Sequence, residues 1–152
     1  MKPFQRLIVG CLMATLTLSA SAQEYSASAA RQLLAATNRE REARGLQALR
    51  WNTALAEAAR RHAELMVEHQ TISHQFTGEP SLPMRATQAG VQFSALAENV
   101  AEAPRYTEIH NLWMHSPGHR ANILDPNLNS IGIAVAESNG EFYAVQDFSK
   151  TK

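Results

Sequence analysis

The residues best equipped for chemistry in this chain are its six histidines and the acids around them. His119 is distinguished by what precedes it. Ser116-Pro117-Gly118-His119 reads as a helix start, because a serine oxygen can accept from an early free backbone N–H and the fixed φ of proline suits the first helical position. His119 then falls in the first turn, at the positive end of the helix dipole, where a protonated imidazole is disfavoured. A ring kept neutral near pH 7 has a nitrogen available to bind a metal ion or to accept a proton. The plainer alternative is a capped surface helix with an incidental histidine, and these residues alone leave both open. His62 and His69 share a helix face but stand two turns apart, too far for the adjacent-turn pair of an HExxH zinc site. His62 therefore reads as a hydrogen-bonded core or rim residue, and His69, at the helix end, as a partner of the dipole. His74 lies in a loop between Ser73 and Gln75, where a solvated side chain is the simplest reading. His110 and His115 flank Trp113 and read as surface or cleft-rim residues. The chain has no GxSxG elbow and no HExxH, and no cysteine placed as a nucleophile.

The elements that must position these groups follow from periodicity. Leu33, Leu34 and Thr37 fall on one face of a helix predicted from about Ser28 to Ala43, which Gly45 terminates after a charged run. Asn52 or Thr53 caps a longer helix reaching His69, with Leu55, Ala59, His62 and Met66 on one stripe. Gly78, Pro80 and Pro83 break the chain into a loop, and a short helix follows from Leu82 to Ala89, ending at Gly90. Phe93 and Leu96 lead into a short strand at Glu98-Asn99-Val100-Ala101-Glu102, and Tyr106 to His115 is helical. Asp125-Pro126-Asn127 stops the helix that holds His119. Strands Ile131–Glu137 and Glu141–Phe148 are joined across Ser138-Asn139-Gly140, where Asn-Gly between alternating apolar runs signals a hairpin. Gln146, within the second of these strands, reads as a buried amide that needs partners. Trp51, Leu55, Leu112, Trp113, Ile133 and Phe148 are the expected core. Helices that precede and interrupt a short antiparallel set of strands give an α+β class.

The first 22 residues read as a secretory signal. Lys2 and Arg6 supply the positive start, Leu7 to Leu18 is apolar but too short to span a bilayer, and Ala20-Ser21-Ala22 offers a cleavage site. Residues 23–152 are then a single domain with its core at about 31–148, secreted or periplasmic and without a transmembrane segment. Removing the leader leaves 12 basic residues against 14 acidic ones, which gives no support to a nucleic-acid or anionic-membrane partner. It also removes Cys11, the sole cysteine, so the mature domain is held by its core and not by a disulfide.

Six stretches in order carry a resemblance. Asn38-Arg39-Glu40-Arg41 with Gly45-Leu46, Leu49-Arg50-Trp51-Asn52, Ile72-Ser73-His74, Ala97-Glu98-Asn99-Val100-Ala101, His115 to Leu124 running on into Ile131-Gly132-Ile133, and Val145-Gln146-Asp147-Phe148 together resemble the CAP superfamily, also called SCP-like. The resemblance spans roughly Arg31 to Phe148. It implies a three-layer α-β-α sandwich, and a cleft with two histidines and acidic residues that binds a divalent metal in some members. Carried over by motif, those residues are His74, Glu98 and His119. Zinc is the favoured ion, either on all three groups or on the two histidines with Glu98 orienting water from behind. Ser73, Asn99, Trp113, Ser116 and Gln146 would line or support the cleft. Where many eukaryotic members have a second glutamate this chain has Ser116, and Glu102, four residues beyond Glu98 on the same side of a strand, is the candidate replacement.

Two function classes follow from the resemblance. One is a non-enzymatic extracytoplasmic module that binds a small apolar or lipid ligand, a peptide or an envelope protein. The other is a hydrolase in which His74, His119 and Glu98 activate water or Ser73. The absence of a nucleophile motif favours the module. Intact-mass analysis of exported protein should show Gln23 as the first residue; a lipid-modified Cys11 at the N-terminus would instead make the protein membrane-anchored.

Overall fold

The computed structural model describes residues 9–151, with side chains from residue 26 onward. The n-region and the Cys11 side chain lie outside the described residues. Among the described residues the elements follow in the order α1 (Val9–Glu42), β1 (Arg50–Trp51), α2 (Thr53–His69), α3 (Leu82–Gln88), β2 (Phe93–Ala103), α4 (Tyr106–His115), α5 (Pro117–Ile123), β3 (Ser130–Ser138) and β4 (Glu141–Thr151). The strands form one sheet in the order β1-β3-β4-β2, with β1 parallel to β3 and the other pairs antiparallel. Helices cover both faces. α1, α4 and α5 bury Leu33, Ile109, Trp113 and Ile123 against Ile131, Ile133, Val135 and Phe148. On the other face α2 packs Ala59, Ala63 and Met66 on Val100, Ala134, Tyr143 and Val145. The expected α-β-α sandwich is the fold. Among the described residues no helix is long and apolar enough to cross a membrane.

Local chemistry fixes most boundaries. Asn52 caps α2 through its side-chain oxygen, which accepts from the Leu55 N–H at 3.0 Å. The β3–β4 hairpin turns on Asn139 and Gly140, both at positive φ (54° and 81°), as a right-twisting two-residue turn requires. The edge strand β2 is longer than the sequence predicts, starting at Phe93 in place of Glu98, because pairing with β4 continues out to Thr151. α1 extends back to Val9, well before Ser28.

Two expected core residues are misplaced. Trp51 is 42% exposed and Leu112 is 48% exposed, whereas Leu55, Trp113, Ile133 and Phe148 are buried. Trp51 belongs to a two-residue strand with one neighbour, too short to be covered, and Leu112 lies on the solvent side of α4 opposite Ile109 and Trp113. Conversely Arg41, which the sequence places in an exposed charged run, is buried. Its guanidinium donates to four carbonyls: Gln47 at 2.8 Å, Ile123 at 2.8 Å, Asp125 at 3.0 Å and Leu128 at 3.2 Å. Burial lowers its pKa, partly opposed by the Asp125 charge, and the side chain serves as a donor to carbonyls at the end of helix α5 and in the loop before β3.

The α2 layer and the sheet approach very closely at Gly132. A Cβ there would stand 2.1 Å from the Ala56 nitrogen, so α2 begins directly on β3 with no room for a side chain.

Truncating Trp113 or Phe148 to Ala should cost about 3–5 kcal/mol, read from chemical denaturation. Trp113 also loses the bond from its indole N–H to the Val100 carbonyl (3.1 Å). Trp51→Ala, at an exposed position, should stay within about 1 kcal/mol.

Candidate functional site

The site lies at the β2 edge of the sheet, where the loop after α2 meets β2 and α5. The loop is pinned from below. His62, fully buried on α2, hydrogen-bonds Glu79 through Nδ1 at 2.6 Å and the Ser73 carbonyl through Nε2 at 2.7 Å. Glu79 also accepts from the Phe76 N–H at 2.9 Å. His62 is thus a core histidine that shapes the loop and not a ligand, as its spacing from His69 suggests. His69 is exposed and stacks on Phe76, ring centroids 4.3 Å apart.

His74 is presented by this loop. Its Nδ1 hydrogen-bonds the buried Glu98 at 2.8 Å while most of the side chain remains in solvent. Glu98 does not stand alone. Its other oxygen takes a bond from Arg85 of α3, whose guanidinium also reaches the His74 carbonyl at 3.2 Å, the Pro80 carbonyl at 3.3 Å and Glu79 at 3.3 Å. One buried cation therefore ties loop, α3 and β2 together.

His119 comes from the opposite side. Its carbonyl accepts from Asn99 Nδ2 at 3.1 Å, and Asn99 Oδ1 accepts from Asn122 Nδ2 at 2.8 Å, which docks α5 on β2. Asn99 also donates to Gln146 at 3.1 Å, and Gln146 donates to Thr37 of α1 at 2.8 Å. Gln146 is the satisfied buried amide the sequence predicts. Pro117 does open α5, but the Ser116 side chain makes no cap bond; the residue closes α4 and opens α5 at once, its N–H going to Leu112 and Trp113. The capping role expected of Ser116 is therefore not its own.

Electrostatics separates the two histidines. The hydrogen bond to Glu98 and its charge raise the His74 pKa against the opposing effects of burial and Arg85. Burial, then the nearby His74 charge, lowers that of His119. The neutral His119 expected from the helix dipole is realised chiefly by desolvation. The two rings are close enough for the charge on one to be felt by the other. Burial resists ionisation of Glu98, but the His74 bond and the Arg85 charge outweigh it and hold the carboxyl below the ordinary range.

Asp147 is the acid that sequence reasoning passed over. It is the cross-strand partner of Glu98, fully buried, with the Glu98 carboxyl as its nearest charged neighbour. Burial and the Glu98 charge push its pKa well up, so Asp147 holds a proton where Glu98 is ionised. The signal was present: an acid flanked by Gln146 and Phe148 in a strand alternates onto the opposite face, which is also buried. Glu102 stays exposed, four residues along β2 beside Tyr143. At about 3.3 Å per residue it lies some 13 Å from Glu98 along the strand. His115 is exposed and bonds the Asn111 carbonyl at 2.8 Å. His110 faces α1 beside Leu33 and Arg39 and not the cleft rim, and burial lowers its pKa.

The donor set suits a metal in one of the two ways considered. Both Glu98 oxygens are engaged inside the fold, and among the described residues no group of three or more His, Cys, Asp or Glu side chains forms an ion site. Two imidazoles remain: His74, with Nε2 turned outward by the Glu98 bond, and His119, whose ring makes no hydrogen bond among the described residues. A carboxylate behind a ligand histidine is the usual means of fixing its tautomer.

Sequence and fold both relate this arrangement to known proteins. A family model described as the cysteine-rich secretory protein family, CAP, matches residues 34–148. The chain belongs to the CAP family. It is 33% identical over 117 residues to the uncharacterized protein YkwD of Bacillus subtilis, covering 75% of this chain and 44% of that protein. It is 32% identical over 124 residues to the uncharacterized membrane protein YlbC of the same organism, covering 79% and 34%. The chain thus spans less than half the length of these curated relatives. Among solved CAP-type structures, an outer surface protein from Borrelia burgdorferi is similar with a TM-score of 0.76 at 21% identity, over 82% of this chain and 94% of that one. An extracellular protein containing an SCP domain from Bacillus anthracis gives a TM-score of 0.76 at 23% identity, over 99% and 45%. At such identities the likeness establishes the fold.

The His74–Glu98 bond can be tested by pH. His74 should titrate above the ordinary histidine value and His119 below it, followed by NMR of the ring protons. A raised pKa means that this bond contributes stability fully below the ordinary histidine value and loses it as pH rises through the raised one. Glu98→Gln should bring His74 back toward the ordinary value; an unmoved His74 would refute the pairing.

Proposed function

We propose that this CAP domain is an exported binding module whose cleft takes a divalent cation, zinc being favoured, on His74 and His119. The observation that carries the reading is the bond from His74 Nδ1 to the buried Glu98, which leaves the other ring nitrogen on the exposed side, near enough to His119 for its charge to be felt there. Glu98 acts from behind, as tautomer-fixing partner and counter-charge, while Arg85 and Asn99 hold the two ring-bearing segments in place. Two neutral imidazoles suit zinc, and water or a partner's oxygen would complete its shell. When bound, the ion supplies a Lewis-acid contact for an oxygen donor of that partner. Two structural neighbours, one an outer surface and one an extracellular protein, support export.

Binding is favoured over hydrolysis by the state of Ser73. Its hydroxyl donates to the Gln75 carbonyl at 2.8 Å and accepts from the Gln75 N–H at 3.2 Å, so it closes its own turn and bonds no histidine or carboxylate among the described residues.

Zinc at about a hundred times its dissociation constant should stabilise the domain by roughly 2.7 kcal/mol, a rise of several degrees in Tm. His119→Ala should abolish the rise with little effect on the metal-free protein, and His62→Ala should lower baseline stability while keeping it. Both ligands must be deprotonated, so the response should weaken as pH falls through the raised His74 value, the higher of the two. Equal zinc shifts in wild type and His119→Ala would refute the site.

A further inference from the structure

At the edge of the sheet opposite the histidine cleft, β1 pairs with β3 only at Ser130 and Ile131 before the chain turns away into α2. The rest of β3 runs on without an outer neighbour. The Asn52 N–H donates to the Ile131 carbonyl at 2.8 Å, so residue 131 presents its main chain to the β1 side. Strand alternation puts the N–H and C=O of Ile133 and Val135 on that same side. Among the described residues nothing bonds them there. This stretch is Ile133-Ala134-Val135, its side chains buried in the core so that only its outer main chain borders the groove, with no charge, proline or bulge of the kinds that block strand pairing at an edge. It forms the floor of a groove of about 580 Å³ between α1 and α2, walled by Ala30 and Leu34 on one side and Ala56 on the other, with the half-exposed Trp51 at the end of the β1 track.

We propose that this groove binds an extended, acidic peptide segment of a partner protein as an added strand along β3. The unpaired main-chain donors and acceptors call for a polypeptide backbone in register, which an acyl chain cannot supply. Charge selects the sign. Of the ionic residues lining the groove, Glu57 and Arg60 are paired with each other (2.8 Å), whereas Arg31 has no hydrogen bond or ion pair among the described residues. Its free guanidinium is complementary to a carboxylate on the incoming strand. At about 3.3 Å per residue, Ile133 to Glu137 offers room for a strand of about five residues. The site is independent of the metal cleft, which lies beyond β2.

The test uses the exported protein and an acetylated, amidated hexapeptide alternating threonine and valine and ending in two aspartates. Binding should slow hydrogen exchange at the Ile133 and Val135 amides by about tenfold or more. N-methylating both valines should weaken binding by about tenfold, the loss of one or two main-chain bonds. Replacing the aspartates by asparagines, or Arg31→Glu in the protein, should each weaken it roughly fivefold. Val135→Pro should remove binding, because it deletes an N–H on the free edge without touching a β4 bond. If that variant fails to fold, the N-methylated peptide and Arg31→Glu still decide. Unchanged exchange at both amides would overturn the proposal. So would palmitate filling the groove and excluding the peptide, or self-association of the protein through β3. Zinc should leave every one of these readings unaltered.

Discussion

Arg85 is the residue on which the cleft depends. It stands almost buried between two carboxylates, Glu79 and Glu98, and further N–H groups are spent on loop carbonyls. Without it the loop that carries His74 would be tied to β2 by the His74–Glu98 bond alone, and two buried acids would be left beside Asp147 with no cation between them. Removing one partner of a buried ionic cluster is costly because the others stay desolvated. The protonation of Asp147 belongs to the same balance. With one arginine among three carboxyls, keeping one of them neutral lowers the buried charge, and Asp147, fully buried beside the ionised Glu98, is the one that stays protonated.

On the other face of the sheet the corresponding role falls to amides. Thr37, Gln146, Asn99 and Asn122 form a chain of hydrogen bonds from α1 through β4 and β2 to α5, every link between uncharged groups. An uncharged chain positions the backbone of His119 without altering the charge it feels, and leaves its ring to desolvation and to His74. The two histidine-bearing segments are thus held by different physics, one ionic and one neutral. That difference accounts for the opposite directions of their pKa values.

Much of this was legible in the residues. Period located α4, and period with an Asn52 or Thr53 cap located α2 to within a residue or so; Asn139-Gly140 located the hairpin, and the motif resemblance pointed to His74, Glu98 and His119. What escaped was whatever depends on the far side of a contact. Arg41 sits in a run that is charged along the sequence, and only the arrival of residues 123–128 turns its position into an interior one. Arg85 is separated from both of its acids and gives no local pattern. Trp51 has the composition of a core residue but belongs to a strand of two. Ser116 matches a local capping rule, yet the residue serves as the end of α4 as well as the start of α5, and its side chain makes no cap bond. Local rules describe one segment at a time; burial and charge pairing are properties of two.

Gly132 has a wider bearing than its own contact. In the sheet it occupies the same row as Asp147 and Glu98, one strand further across. That row therefore runs from a bare backbone contact, through a neutral acid, to an ionised one at the cleft. Any side chain there would meet the Ala56 nitrogen, so α2 can settle onto β3 only where none intervenes. His62, on the same helix and bonded to the Ser73 carbonyl at 2.7 Å, is thus carried on a seat that only glycine permits.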